Sequence, residues 1–310
     1  MSQHDDLDPI VNLQDWARRT ERKVKRQRRF GGVVSKLRYV VAAVTLGALI
    51  WASVPLVREV WPRESAAPAP TPSGITATTA TRAETTSPFE GTAAATYPVG
   101  EKGITLPPAR AVTGFSAAQV KADLELVRKA MVAGRLDPDM TVGHRPDDFL
   151  LMLAPSARAQ IAKWFEGDTF VSLATWIDPA VRLDPKNEPR VSGRVTYRSV
   201  VEDGIRTLRI TTNFVWVYAF EGEFLSGPLA VRHDQIDWDF PQTRNLRDAD
   251  RGMWVHNATS YGAWLDCAAA DKGLLAPTPK DATGTGLAGT EDQESLAKPD
   301  HPLEIGDNCH

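Results

Sequence analysis

Between Arg190 and Phe240 side-chain character alternates with a period of two, and that pattern limits the segment to a sheet with one apolar face. In RVSGRVTYRSVV, residues 190–201, Val191, Val195 and Tyr197 alternate with Arg194, Thr196 and Arg198. In GIRTLRITTNFVWVYAF, residues 204–220, Leu208, Ile210, Phe214, Trp216, Tyr218 and Phe220 share one face. In LAVRHDQIDWDF, residues 229–240, Ile236, Trp238 and Phe240 do the same. Successive side chains of a strand point to opposite faces, so each run reads as a strand with a buried side. Glu202-Asp203-Gly204 and Gly227-Pro228 supply the turns, which makes the order an antiparallel meander. A short strand near Phe170–Trp176 is expected to precede it, giving four strands.

Helices are expected before the strands. Ser116 followed by Gln119 forms a capping box, and Phe115 with Val120 fits a hydrophobic staple. Val120, Leu124, Val127 and Met131 then recur at helical spacing, with Gly134 as the stop. PDDFLLMLAPSARAQIAKWF, residues 146–165, opens another helical region that Pro155 divides into about 147–153 and 156–166. Six of the nine tryptophans fall between Trp164 and Trp264, which locates the core. The expected fold class is therefore α+β, with helices packed on one face of a curved antiparallel sheet over residues 115–270.

The N-terminal part of the chain reads differently. Residues 1–38 hold ten Lys/Arg against five Asp/Glu, a net +5 within a chain of net charge −3. Residues 39–57 carry no charged side chain. As a helix at about 1.5 Å per residue they would cover roughly the 30 Å hydrocarbon core, and Tyr39, Trp51 and Trp61 flank them as interfacial aromatics. The expectation is one transmembrane helix with the basic tail cytoplasmic and the rest extracytoplasmic, at the cell membrane. A cleaved signal peptide ending near Ala52-Ser53 is the competing reading. Residues 58–114, rich in Pro, Ala and Thr, read as a disordered linker, and 271–310 as a mostly disordered tail. Cys267 and Cys309 would both lie on the oxidising side, where a disulfide is expected.

The helices-then-meander order over 115–270 resembles an NTF2-like (cystatin-like) cone. The whole layout is similar to single-span subunits of bacterial type IV secretion and conjugation channels, and to membrane adaptors that hold a contractile injection particle against the envelope. That resemblance implies a scaffolding role with protein partners on the cytoplasmic or outer side, and allows a homo-oligomer.

Few motifs point to chemistry. The segment Trp16, Arg18, Arg19, Arg22, Lys23, Lys25, Arg26, Arg28, Arg29 suits contact with anionic lipid or an acidic partner. No nucleic-acid module accompanies it, so no nucleic-acid partner is expected. GTGLAG, residues 284–289, has the letters of a dinucleotide fingerprint without its strand and helix. DADRG, residues 248–252, lacks the later ligands of a calcium loop and reads as a surface turn. His233, Gln235, Asp237 and Asp239 share one strand face. If that face lined a cone with Trp216 and Tyr218, it would form a small-molecule binding or enzymatic pocket, in which Asp237 or Asp239 acts as a base or joins His233 in holding a metal. Otherwise it is a solvated outer face whose acids Arg194, Arg198, Arg206, Arg209 and Arg232 neutralise across the sheet. Asn257-Ala258-Thr259 is a glycosylation sequon by its letters. No Ser-His-Asp elbow, HExxH, P-loop or CxxC occurs, so neither an enzyme nor a cofactor or metal is expected.

Overall fold

A computed structural model describes residues 87–244, 246–282 and 292–305. The basic segment, the apolar run 39–57, GTGLAG and Cys309 lie outside the described residues. The first helix, α1 (Ala117–Arg135), starts on Ser116 as the local signal predicts. The Ser116 hydroxyl accepts from the Gln119 amide at 3.3 Å, and Gln119 Oε1 accepts from the Ser116 amide at 2.9 Å. Val120, Leu124, Val127 and Met131 are buried. The helix continues through Gly134 instead of stopping there. At that position a Cβ would lie 2.6 Å from the Leu173 carbonyl oxygen, so Gly134 serves close packing. Three short helices follow: α2 (Pro138–Thr141), α3 (Asp147–Leu151) and α4 (Pro155–Ala162). Pro155 opens α4 at a position that needs no amide donor. A 3-10 turn, Lys163–Glu166, completes the predicted second helix.

The strands are β1 (Trp176–Ile177), β2 (Arg190–Glu202), β3 (Ile205–Ala219), β4 (Leu229–Pro241), β5 (Trp254–Ala263) and β6 (Leu274–Leu275), with the one-turn helix α5 (Cys267–Ala270) before β6. The main sheet has the order β2-β3-β4-β5 and is antiparallel throughout. The expected strand at 170–176 is not part of it. Thr169–Ser172 is a 3-10 turn, and β1 pairs in parallel with β6 in a separate two-stranded sheet. The fourth strand of the meander is β5, which the alternation pattern did not reveal. Between Asp237↔Asn257 and Trp238↔Val255 the register shifts, leaving His256 as an extra residue on β5. Such a bulge reverses the in/out parity on either side of it and hides the period.

The expectation of an NTF2-like cone behind one transmembrane helix is corrected. The described residues form a mixed helix-and-sheet domain on a four-stranded antiparallel sheet. No helix among them is long and apolar enough to cross a membrane.

Each face of the sheet carries its own core. On the inner face, Phe214, Trp216 and Tyr218 are fully buried, and Trp238 nearly so. Phe149 of α3 meets Trp238 edge-on at 6.4 Å. Burial of each such ring contributes on the order of 2–3 kcal/mol. On the outer face, Val215, Val217, Val231 and Tyr261 pack under Phe89, Ala94, Leu296 and Ala297. The Tyr97 hydroxyl donates to the Ala297 carbonyl at 2.9 Å, and the Trp264 indole N–H to the Gln293 carbonyl at 3.0 Å. Two straps, one on each side of the 115–270 span, therefore belong to the folded unit, although the sequence placed them in linker and tail. Cys267 is disulfide-bonded.

Gly193 of β2 lies opposite Asn213–Phe214. A Cβ there would sit 2.5 Å from Phe214 Cγ and closer still to the Asn213 carbonyl. Gly193→Ala is expected to cost about 1–3 kcal/mol through overpacking. A urea titration would show a lower midpoint at unchanged slope; a midpoint within error of the parent would mean β2 slides without resistance.

Candidate functional site

The straps cover only one end of the outer face. Beyond them the sheet presents polar side chains. Arg194, Thr196 and Arg198 of β2 are exposed, and Thr211, Gln235, Asp237, Asn257 and Thr259 are half-buried. Register explains why they meet. Thr211 is paired with Asp237, Asn213 with Gln235, and Arg209 with Asp239. Each pair is bonded through its side chains: Thr211 Oγ1 donates to Asp237 Oδ1 at 2.6 Å, and Asn213 Nδ2 to Gln235 Oε1 at 3.3 Å.

The strongest of these pairs is a fork. Arg209 Nε and Nη2 donate to the two oxygens of Asp239 at 2.8 and 2.7 Å, and Nη2 also lies 3.1 Å from Glu202 Oε2. The bulge brings His256 to the same point, with Nδ1 3.4 Å from Asp239 and 3.6 Å from Glu202. Burial alone would lower the affinity of Arg209 for its proton, but Asp239 and Glu202 more than offset this and hold it above its ordinary value. Glu202, Asp239 and His256 place one donor atom each within 4.8 Å, a spacing compatible with a metal ion. The guanidinium already spans both oxygens of Asp239, however, so the two carboxylates have a tethered cation in the place a metal would take.

His233 closes the polar strip against the outer core. It is fully buried, with Nε2 3.0 Å from Asn213 Oδ1 and Nδ1 2.9 Å from the Tyr261 hydroxyl. The Tyr261 hydroxyl also reaches the Leu296 carbonyl at 2.8 Å. An amide oxygen only accepts, so Nε2 carries the hydrogen in the neutral ring. Nδ1 and the Leu296 carbonyl then share the single Tyr261 hydrogen. Burial, with His301 and Arg194 nearby, pushes the His233 pKa down to about 4. A histidine held neutral and fixed in this way is built into the fold as an uncharged strut.

The residues grouped from sequence thus separate by parity. His233, Asp237 and Asp239 lie on the outer face, while Trp216 and Tyr218 lie on the inner one. No pocket joins them, because the sheet itself stands between. On the inner face Asp234 accepts from the Trp216 indole N–H at 2.7 Å, and Arg135 Nε approaches the same oxygen to 3.1 Å as an ion pair without hydrogen-bond alignment. Arg135 Nη1 donates to the Ala174 carbonyl and Thr175 Oγ1, and Nη2 to the Val171 carbonyl. Sequence reasoning missed Glu202, read as a turn residue, and Arg135, Asp234 and His256. Of these only Glu202 had a usable signal, its even number on the same face of β2 as Arg198.

A cleft of about 400 Å³ opens between the start of α1 and the end of β4, lined by Phe115, Gln119, Asp123, Phe240, Gln242 and Arg244. Burial raises the Asp123 pKa to about 6. Since the folded value lies above the unfolded one, stability is lost as pH rises through the window from 3.8 to 6. Asp123→Asn is therefore expected to melt higher than the parent at pH 8, with the gap closing below about pH 4. Equal gaps at both pH values would remove the desolvated carboxylate from the argument. The lining residues include no histidine or cysteine, and none of them forms a hydrogen-bonded nucleophile–base pair with Asp123. Comparison of the chain with protein-family models, with curated proteins and with solved structures finds no match.

Proposed function

We propose that the chain is a membrane-associated adaptor or assembly subunit whose folded domain docks a protein partner on the uncovered polar half of its outer sheet face. The observation that carries this reading is the state of that surface. Arg194, Thr196 and Arg198 project from β2, beside neighbours already locked into cross-strand pairs. A surface ordered in advance loses little conformational entropy when a partner arrives. Exposed arginines bordered by paired polar groups match the composition of protein interfaces. On the other side of the sheet the aromatic residues that would line a ligand pocket fill the interior themselves. The membrane side of the reading rests on sequence: ten basic residues within the first 38, directly followed by an uncharged run.

The test is site-specific photocrosslinking of the full chain in its cells of origin. A photoreactive residue at Thr196 is expected to give a discrete crosslinked product that disappears in an Arg194→Glu, Arg198→Glu background. The same residue at Lys121, on the exposed side of α1, should give none. Identical product patterns from the two positions would remove the docking face. Deleting residues 1–38 should detach the chain from partners or lipid at its N-terminal end while the domain keeps its melting temperature. Retention of every partner after that deletion would remove the adaptor reading.

A further inference from the structure

The inner face holds a charge that no carboxylate among the described residues balances. Arg232 of β4 stands between Trp216 of β3 and Gly262 of β5 in register, and it is only 6% exposed. Its Nε is buried without a hydrogen-bond partner, and none of the described carboxylates forms an ion pair with it. Asp234, two residues along, is committed to Arg135 and to Trp216. Arg135 itself is 1% exposed and also reaches three oxygens of Val171, Ala174 and Thr175. The cluster therefore has two guanidinium groups and one carboxylate, a net charge of +1 in the interior. Burial and the adjacent Arg135 bring the Arg232 pKa down to about 10, which still leaves it charged at neutral pH.

Two solutions exist for an orphaned buried cation. A water molecule would satisfy the N–H but leave the charge, whose desolvation is the larger cost. An anion answers both. Position 262 is where β5 offers no side chain: a Cβ there would lie 3.2 Å from Arg232 Nη1 and closer to Leu265. The guanidinium accordingly lies along bare backbone, beside the buried Tyr218 hydroxyl, whose hydrogen goes to the Arg135 carbonyl at 2.9 Å.

We propose that Arg232, with Arg135 and the bare backbone at Gly262, forms a buried binding site for one small monovalent anion of chloride size. The ion is a structural ligand: it neutralises the cluster and binds only the folded state.

The full chain should be melted at constant ionic strength while sodium gluconate is replaced stepwise by sodium chloride. For a dissociation constant of about 10 mM, 100 mM chloride raises the folding equilibrium constant about tenfold, with a saturating dose response. Bromide should act like chloride, and methanesulfonate, larger than the single small ion proposed, should act like gluconate. Arg232→Met should abolish the response and, in gluconate alone, melt no lower than the parent. An equal effect of all the anions, or an undiminished chloride response in Arg232→Met, would overturn the proposal. Should Arg232→Met not fold, the size series on the parent protein decides alone: a flat or non-selective series rejects the site, and a chloride–bromide preference supports it.

Discussion

Asp234→Ala is expected to lower stability by about 3–5 kcal/mol, the largest loss from any single substitution considered for this domain. The carboxylate is 1% exposed and is the one acid between Arg135 and Arg232. Burial raises its pKa, while Arg135, the Trp216 indole N–H and Arg232 pull the other way. Without it the inner face holds two positive charges and an indole N–H with no acceptor. Leaving a buried charge unpaired costs far more than the pair itself contributes, because the remaining ion cannot return to water. Asp234→Asn separates the two losses. Its amide oxygen can still accept from Trp216, so the difference between Asn and Ala measures that hydrogen bond, about 1–3 kcal/mol. Urea denaturation at pH 7 is the measurement. A loss below about 1 kcal/mol for Ala would show that the arginines relax to solvent and that the interior is less closed than its geometry implies.

How much of this was readable in advance depended on the range of the interactions involved. The start of α1 was legible because Ser116 and Gln119 satisfy each other within one turn. The three long strands were legible because alternation is a local property, and the turn at Asp203-Gly204 follows from its residues, both of which adopt positive φ. Arg209 was named with Arg194, Arg198, Arg206 and Arg232 as a possible neutraliser of the β4 acids, and it does pair with Asp239; β3 and β4 pair odd with odd, so the even-numbered Arg206 and Arg232 lie on the opposite face. The same rule would have separated Trp216 and Tyr218 from Asp237, but it requires the register of β3 on β4, which no local signal provides. β5 was concealed by one bulged residue, His256. The outer straps were concealed by composition: Phe89 and Tyr97 are two aromatic anchors in a Thr/Ala/Pro-rich stretch, and averaging over the stretch erases them. Nothing near Arg135 predicts its burial. An arginine in the last turn of a helix ordinarily faces water and the helix dipole, and only the tertiary approach of β4 and of the 171–175 segment turns it inward.

His233 makes the domain sensitive to acid. Its folded pKa of about 4 lies below the unfolded value of 6.5, so between those two values the unfolded chain binds more protons than the native one. Stability is fully present above pH 6.5 and falls as pH drops towards 4. At about 1.4 kcal/mol per pH unit the whole window accounts for roughly 3 kcal/mol. Burial is the main cause, and the groups facing the ring set the remainder: His301 and Arg194 oppose the proton, Asp300 favours it. Asp123 changes stability in the opposite direction over part of the same range, so a raw pH profile mixes the two. The clean measurement is the difference between the parent and His233→Gln, which keeps polar atoms near Asn213 and Tyr261 but cannot titrate. That difference should be flat above pH 6.5 and shift steadily in favour of the variant down to pH 4. The consequence also reaches the C-terminal strap. The Tyr261 hydrogen is shared between His233 and the Leu296 carbonyl. A protonated ring would no longer accept it, leaving the whole of that hydrogen to Leu296. Protection of the amides around Leu296, taken relative to their intrinsic exchange rate at each pH, should therefore change with His233 protonation in the parent and lack that component in the variant. Parallel stability curves for the two proteins from pH 7 to 4 would mean that the ring reaches water, and with it the sealed outer core would be lost from the account.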